Sequence, residues 1–100
     1  VQWQILKISL KKLKILEDNL GYHNRSITKG NFGDFSKIEE EWQELLDSRE
    51  QGCKIMELCE LSDLYGAISG YVQKHYGISM DDIKQMSELT SSAFKDGSRK

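Results

Sequence analysis

The sequence predicts an all-α domain, a four-helix bundle in which the second and third helices form an antiparallel hairpin. Three observations carry this expectation. Proline is absent from the 100 residues, which removes the strongest helix breaker. Apolar residues recur at three-four spacing along most of the chain, the period of a helix with one buried face. Gly21, Gly52 and Gly77 each follow the end of a periodic stretch, where a glycine readily stops a helix.

The first helix is expected over residues 3–20, with Trp3, Leu6, Leu10, Leu13, Leu16 and Leu20 on one face. Lys7, Lys11, Lys12 and Lys14 lie between them as a solvated face. Residues 21–33 read as a loop, with Gly21, Gly30 and Gly33 among scattered polar residues. His23, in that loop, reads as an ordinary exposed or half-buried histidine.

The second helix opens at Ser36-Lys37-Ile38-Glu39, a capping-box pattern, with Asp34 as the competing cap. Phe35, Ile38, Trp42 and Leu45 form its apolar stripe. Glu41 and Glu44 border that stripe, whereas Glu39, Glu40, Asp47 and Glu50 fit a solvated face. The third helix runs from about Cys53 to Tyr76 with a broad apolar surface. Its glycines, Gly66 and Gly70, are expected where another helix packs closely. Ser79 caps the fourth helix, with Asp82 at the third helical position and Ile83, Met86, Thr90, Ala93 and Phe94 turned inward.

Composition narrows the function. Hydrophobic residues make up 38% and charged residues 30%, as in a globular domain with a modest core. One domain, residues 1–100, is expected. No apolar run approaches the ~18 residues of a membrane span, and the opening residues do not read as a signal peptide. Cys53 and Cys59 are six apart on one expected helix, too far along it to bridge, so two unpaired thiols and a cytoplasmic location are expected.

The net charge of −2 hides a segregation. Residues 1–30 carry six Lys/Arg against two acids, whereas residues 39–63 carry nine acids against Arg49 and Lys54. An acidic centre argues against a nucleic-acid binder. It suits a place where cations hold a phosphate ligand.

Two carboxylate pairs give that centre a pattern. Glu41/Glu44 and Glu60/Asp63 each have i, i+3 spacing, so on a helix each pair shares a face. Glu41 and Asp63 are each 11 residues from Gly52, and Glu44 and Glu60 are each 8 from it. A chain that folds back at Gly52 brings all four to one level. Four converging acids repel strongly unless a cation lies between them, and an all-oxygen set favours Mg²⁺ or Mn²⁺.

The central segment reads Glu40-Glu41-Trp42-Gln43-Glu44, then 15 residues, then Glu60-Leu61-Ser62-Asp63. It resembles the EExxE…ExxD motif of the MazG-like, all-α nucleoside triphosphate pyrophosphohydrolases, over residues 35–94. The resemblance implies a Mg²⁺-dependent enzyme that cleaves a ribo- or deoxynucleoside triphosphate between its α and β phosphates, releasing a monophosphate and pyrophosphate. It implies Glu41, Glu44, Glu60 and Asp63 as metal ligands. Glu40 and Glu41 are the implied catalytic carboxylates, with Glu40 as an outer residue or base. It also points to a homodimer or dimer-based tetramer, as does the broad apolar third helix. The family often supplies a lysine and an asparagine from its last helix. Residues 85–90 offer neither, leaving Lys84, Lys95 and Arg99 as candidates for phosphate contact.

Two other metal folds fail on spacing. A di-iron bundle needs Glu-x-x-His pairs, which His23 and His75 do not supply, and no EF-hand loop is present. The remaining alternative is a catalytically silent helical interaction module that keeps the acidic cluster.

Overall fold

The computed structural model describes residues 23–98. They contain three α-helices: α1 (Phe35–Gln51), α2 (Lys54–Tyr76) and α3 (Met80–Lys95). The expected four-helix bundle is therefore corrected to three helices among the described residues. The helix expected over residues 3–20 lies outside them. The expected second, third and fourth helices correspond to α1, α2 and α3.

Helices α1 and α2 form a hairpin, the principal helix–helix packing among the described residues. The turn between them is tight because Gly52 takes φ +74°, and its amide donates to the Arg49 carbonyl at 3.0 Å. An L-residue pays a steric penalty in that conformation, whereas glycine does not. Contacts at both ends fix the antiparallel register. Near the turn, Arg49 Nε lies 3.2 Å from Glu57 Oε1. At the open end, Lys74 Nζ donates to Asp34 Oδ1 at 2.5 Å, and the rings of Phe35 and Tyr71 meet edge-on at 5.7 Å. Exposed ion pairs stabilise by only ~0–1 kcal/mol, so these contacts set register more than they hold the fold.

Of the two expected caps, the helix starts at the competing one, Asp34, but without the expected side-chain bond. The Asp34 carboxylate is turned to Lys74. Ser36 Oγ instead accepts from the Asn31 amide at 3.1 Å, tying the loop to the first turn. By contrast, α3 begins with the expected reciprocal cap: Ser79 N donates to Asp82 Oδ2 at 3.0 Å, and Asp82 N donates to Ser79 Oγ.

The interior is the larger departure. Leu45, Cys59 and Ala67 are buried, but Trp42 and Phe35 are about half exposed, and α3 buries none of its residues. Met86 and Phe94, expected to face inward, are exposed. The buried positions of α1 are instead Glu40, Glu41, Glu44, Leu45, Asp47 and Ser48. These recur at helical spacing, so the face that α1 turns inward is largely acidic. Among the described residues, no neighbouring helix packs against the α2 glycines. A Cβ at Gly70 would meet the ring of Phe32, a loop residue, at 2.6 Å, and one at Gly66 would meet nothing within 4 Å among the described residues.

Candidate metal centre

The hairpin brings Glu41 and Glu44 from α1 against Glu60 and Asp63 from α2. Each offers a carboxylate oxygen, and the four oxygens all lie within 4.8 Å of one another. The i, i+3 spacing within each helix and the equal distances from Gly52 produce this convergence. Glu60 is fully buried, and Glu41 and Glu44 are nearly so. At this separation, each pair of charges repels by roughly 3–4 kcal/mol at an effective dielectric of ~20.

Three features offset that repulsion. Lys37 Nζ lies 3.1 Å from Glu41 Oε1 and 3.2 Å from Glu40 Oε1. Burial alone lowers the lysine pKa, but its bonds to Glu41 and Glu40 outweigh this and raise it, so the ammonium stays charged. Glu41 holds a proton more readily than a usual carboxylic acid. Burial first, and then its neighbour Glu44, push its pKa up to about 7. His23 supplies the third contribution from the loop.

His23 Nδ1 lies 2.8 Å from Asp47 Oδ2, while Nε2 stands 3.6 Å from Glu60 Oε1 and 3.9 Å from Glu44 Oε2. His23, Glu44 and Glu60 thus form a second group of potential metal ligands, sharing two carboxylates with the first. Reading His23 as ordinary missed this. Its partner Asp47 also belongs to the acidic face and is only 1% exposed. Asp47 Oδ2 accepts from the Asn24 amide at 3.0 Å and from Gln51 Nε2 at 3.1 Å as well. Burial raises the Asp47 pKa, but the bonds to His23, Asn24 and Gln51 prevail and hold it below the usual carboxylate range.

Glu40 is buried but is engaged with the loop. Its Oε1 accepts from the Gly30 amide at 2.7 Å, and Lys29 Nζ lies 3.6 Å from Oε2. The loop comes so close that a Cβ at Gly30 would overlap the Ser36 backbone at 2.3 Å. Burial raises the Glu40 pKa, but the Gly30 amide and Lys37 lower it further, so it stays ionised. A surface pocket of about 380 Å³ lies alongside, lined in part by Thr28, Lys29, Glu40 and Gln43. Lys84 pairs with Glu88 one turn away at 3.9 Å, and Lys95 is an exposed residue of the last turn of α3. Arg99 lies outside the described residues.

No family model, curated protein or solved structure matches the chain. The site therefore stands on its own chemistry: a cluster of acids, extended by a histidine, capable of chelating a metal ion. Among the described residues, no helix is long and apolar enough to cross a membrane, and Cys53 and Cys59 are not joined by a disulfide.

Proposed function

We propose that this chain is a Mg²⁺-dependent nucleotide pyrophosphohydrolase of the MazG-like kind, cleaving a ribo- or deoxynucleoside triphosphate to monophosphate and pyrophosphate. The observation that carries the reading is the convergence of all four acids of the ExxE…ExxD pattern across one buried hairpin face. The residues fit a hard cation. Their donors are carboxylate oxygens, and the buried Oε2 of Glu41 accepts no hydrogen bond among the described residues. A buried acceptor in that state costs several kcal/mol unless a proton or a cation meets it.

Glu41, Glu44, Glu60 and Asp63 would hold the ion. When bound, Mg²⁺ lowers the pKa of coordinated water, screens the phosphates from the carboxylates and stabilises charge on the departing pyrophosphate. Glu41 must release its proton as the site loads. Lys37, poised at the edge of the cluster, is free to turn one of its N–H groups to a phosphate oxygen. Lys29, whose side chain is 85% exposed, can reach phosphate from the loop. Glu40 holds that loop in place through Gly30.

In the same reading the protein is a homodimer or dimer-based tetramer. Leu61 and Tyr65 of α2 and Met86, Leu89 and Phe94 of α3 are exposed, and a second copy would cover such apolar side chains. The rival is a silent helical module, favoured by the way Lys37 and His23 already offset part of the acidic charge.

A panel of ribo- and deoxynucleoside triphosphates, incubated with Mg²⁺ and assayed for pyrophosphate and monophosphate, separates the two. We expect both products in equal amount from at least one nucleotide. Absence of turnover across the panel, or release of orthophosphate alone, contradicts the enzymatic reading.

A further inference from the structure

We infer that His23 is itself a metal ligand, and that His23, Glu44 and Glu60 make a mixed nitrogen–oxygen position that takes a first-row transition-metal dication in preference to Mg²⁺. This position lies beside the all-oxygen set. The inference rests on the metal-centre part of the proposed function, not on its nucleotide chemistry.

Geometry comes first. Two ligands at ~2.1 Å from a tetrahedral ion are about 3.4 Å apart. His23 Nε2 lies 3.6 Å from Glu60 Oε1 and 3.9 Å from Glu44 Oε2, within roughly half an ångström of that spacing, and all three ligand atoms lie within 4.8 Å of one another. The side chains are already withdrawn from solvent, at 15% exposure for His23, 12% for Glu44 and 0% for Glu60.

Orientation comes next. Asp47 Oδ2, 2.8 Å from Nδ1, favours the tautomer that carries its proton on Nδ1. With an ion bound, Nε2 would turn its lone pair to the position shared with Glu44 and Glu60. A carboxylate behind a ligating imidazole fixes its tautomer and ring orientation and raises its basicity. Asp47 is itself held by the Asn24 amide and Gln51, so the ring is anchored from behind.

Selectivity follows from ligand type. Imidazole suits Zn²⁺, Co²⁺ and Fe²⁺, whereas Mg²⁺ prefers oxygen donors and gives up water reluctantly. The shared carboxylates Glu44 and Glu60 would bridge the two positions. The buried Oε2 of Glu41 marks the all-oxygen side as also calling for a cation.

The test is a pair of calorimetric titrations of the metal-free full chain, one with Co²⁺ and one with Mg²⁺, with visible spectra taken during the first. Wild type should bind Co²⁺ more tightly than Mg²⁺. His23→Gln should weaken Co²⁺ at least tenfold and change its visible spectrum, while Mg²⁺ affinity stays within about twofold. Asp47→Asn, which leaves the imidazole but loosens its hold, should weaken Co²⁺ by about 10- to 100-fold. Parallel changes for both ions, or a stronger Mg²⁺ affinity in His23→Gln, would make His23 a counter-cation and overturn the inference. If His23→Gln does not fold, proton NMR of Co²⁺-loaded wild type decides. An exchangeable, paramagnetically shifted imidazole N–H is expected, and it should persist in His75→Gln. Its absence overturns the assignment. Mg²⁺ binding without Co²⁺ preference sinks this inference alone, whereas failure to bind either ion sinks the metal reading with it.

Discussion

His23 Nδ1 and Asp47 Oδ2 are 2.8 Å apart, and this contact fastens the loop before α1 onto the acidic face of that helix. Asp47 also receives the Asn24 amide and Gln51, so three donors converge on one buried carboxylate. Removing it leaves those donors without their acceptor. We expect Asp47→Ala to cost about 2–3 kcal/mol in urea unfolding, in line with deletion of a buried hydrogen-bonding group. A loss below 0.5 kcal/mol would mean that Asp47 is the solvated residue that its sequence position first implies.

Metal-free stability should depend on pH through Glu41. Its folded pKa of about 7 lies above the ordinary 4.5, so the folded state binds the proton more tightly. That contribution is fully present below pH ~4.5 and is lost as pH rises through about 7. Asp47 and Glu40 act in the opposite sense. Their lowered values give stability that is present above the usual carboxylate range and is lost in acid. Melting temperature without metal should therefore peak in mildly acidic buffer and fall toward neutrality. Mg²⁺ should remove most of the neutral-side fall, because the ion takes the place of the Glu41 proton. Glu41→Gln should flatten it without metal. A fall of the same size in Glu41→Gln would assign it elsewhere.

The two glycines of α2 should answer differently to alanine. At Gly66 none of the described residues lies within 4 Å of the added methyl, so Gly66→Ala should stabilise by about 1 kcal/mol through helix propensity. At Gly70 the methyl displaces the Phe32 ring, which should offset most of that gain. Chemical unfolding of both variants checks the difference. A Gly66→Ala protein that loses stability would mean that a segment outside the described residues packs there, and one that also sediments as a smaller species would place a second copy against this surface.

Gly52 tests the hairpin itself. With φ at +74°, Gly52→Ala should cost about 1–2 kcal/mol in thermal or urea unfolding, the penalty for a Cβ in the left-handed region. No loss would mean that the turn can relax to another conformation.

The helix pair was legible because two independent signals agreed: apolar periodicity on both sides and a glycine placed midway between the acids. The same symmetry is what brings Glu41, Glu44, Glu60 and Asp63 together. The burial of Glu40 and Asp47 was not legible, because hydrophobic patterning assigns the inward face to apolar residues. In α1 that face is instead made of carboxylates held by Lys37, Gly30, His23 and Asn24. A signal did exist: residues 40, 44 and 47 keep helical spacing with the motif acids. His23 was harder to find, since it sits in an aperiodic loop 24 residues from the carboxylate that orients it. The cap chemistry of α1 was not legible because Ser36 and Asp34 both fit a cap, and their side chains found partners in the loop and in α2. Helix α3 was placed by its cap, but its spaced apolar residues did not guarantee a partner surface.

The most direct measurement of the central claim is calorimetric titration of Mg²⁺ into metal-free wild type and Glu44→Gln, paired with their melting temperatures in the absence of metal. Glu44 lies at the meeting point of both ligand groups, and its charge repels Glu41 when no ion is present. We expect wild type to bind Mg²⁺ and gain melting temperature from it. Glu44→Gln should lose at least tenfold in affinity, yet melt no lower than wild type in metal-free buffer. A variant that keeps Mg²⁺ affinity while losing metal-free stability would show that the acids are structural, and would contradict the account.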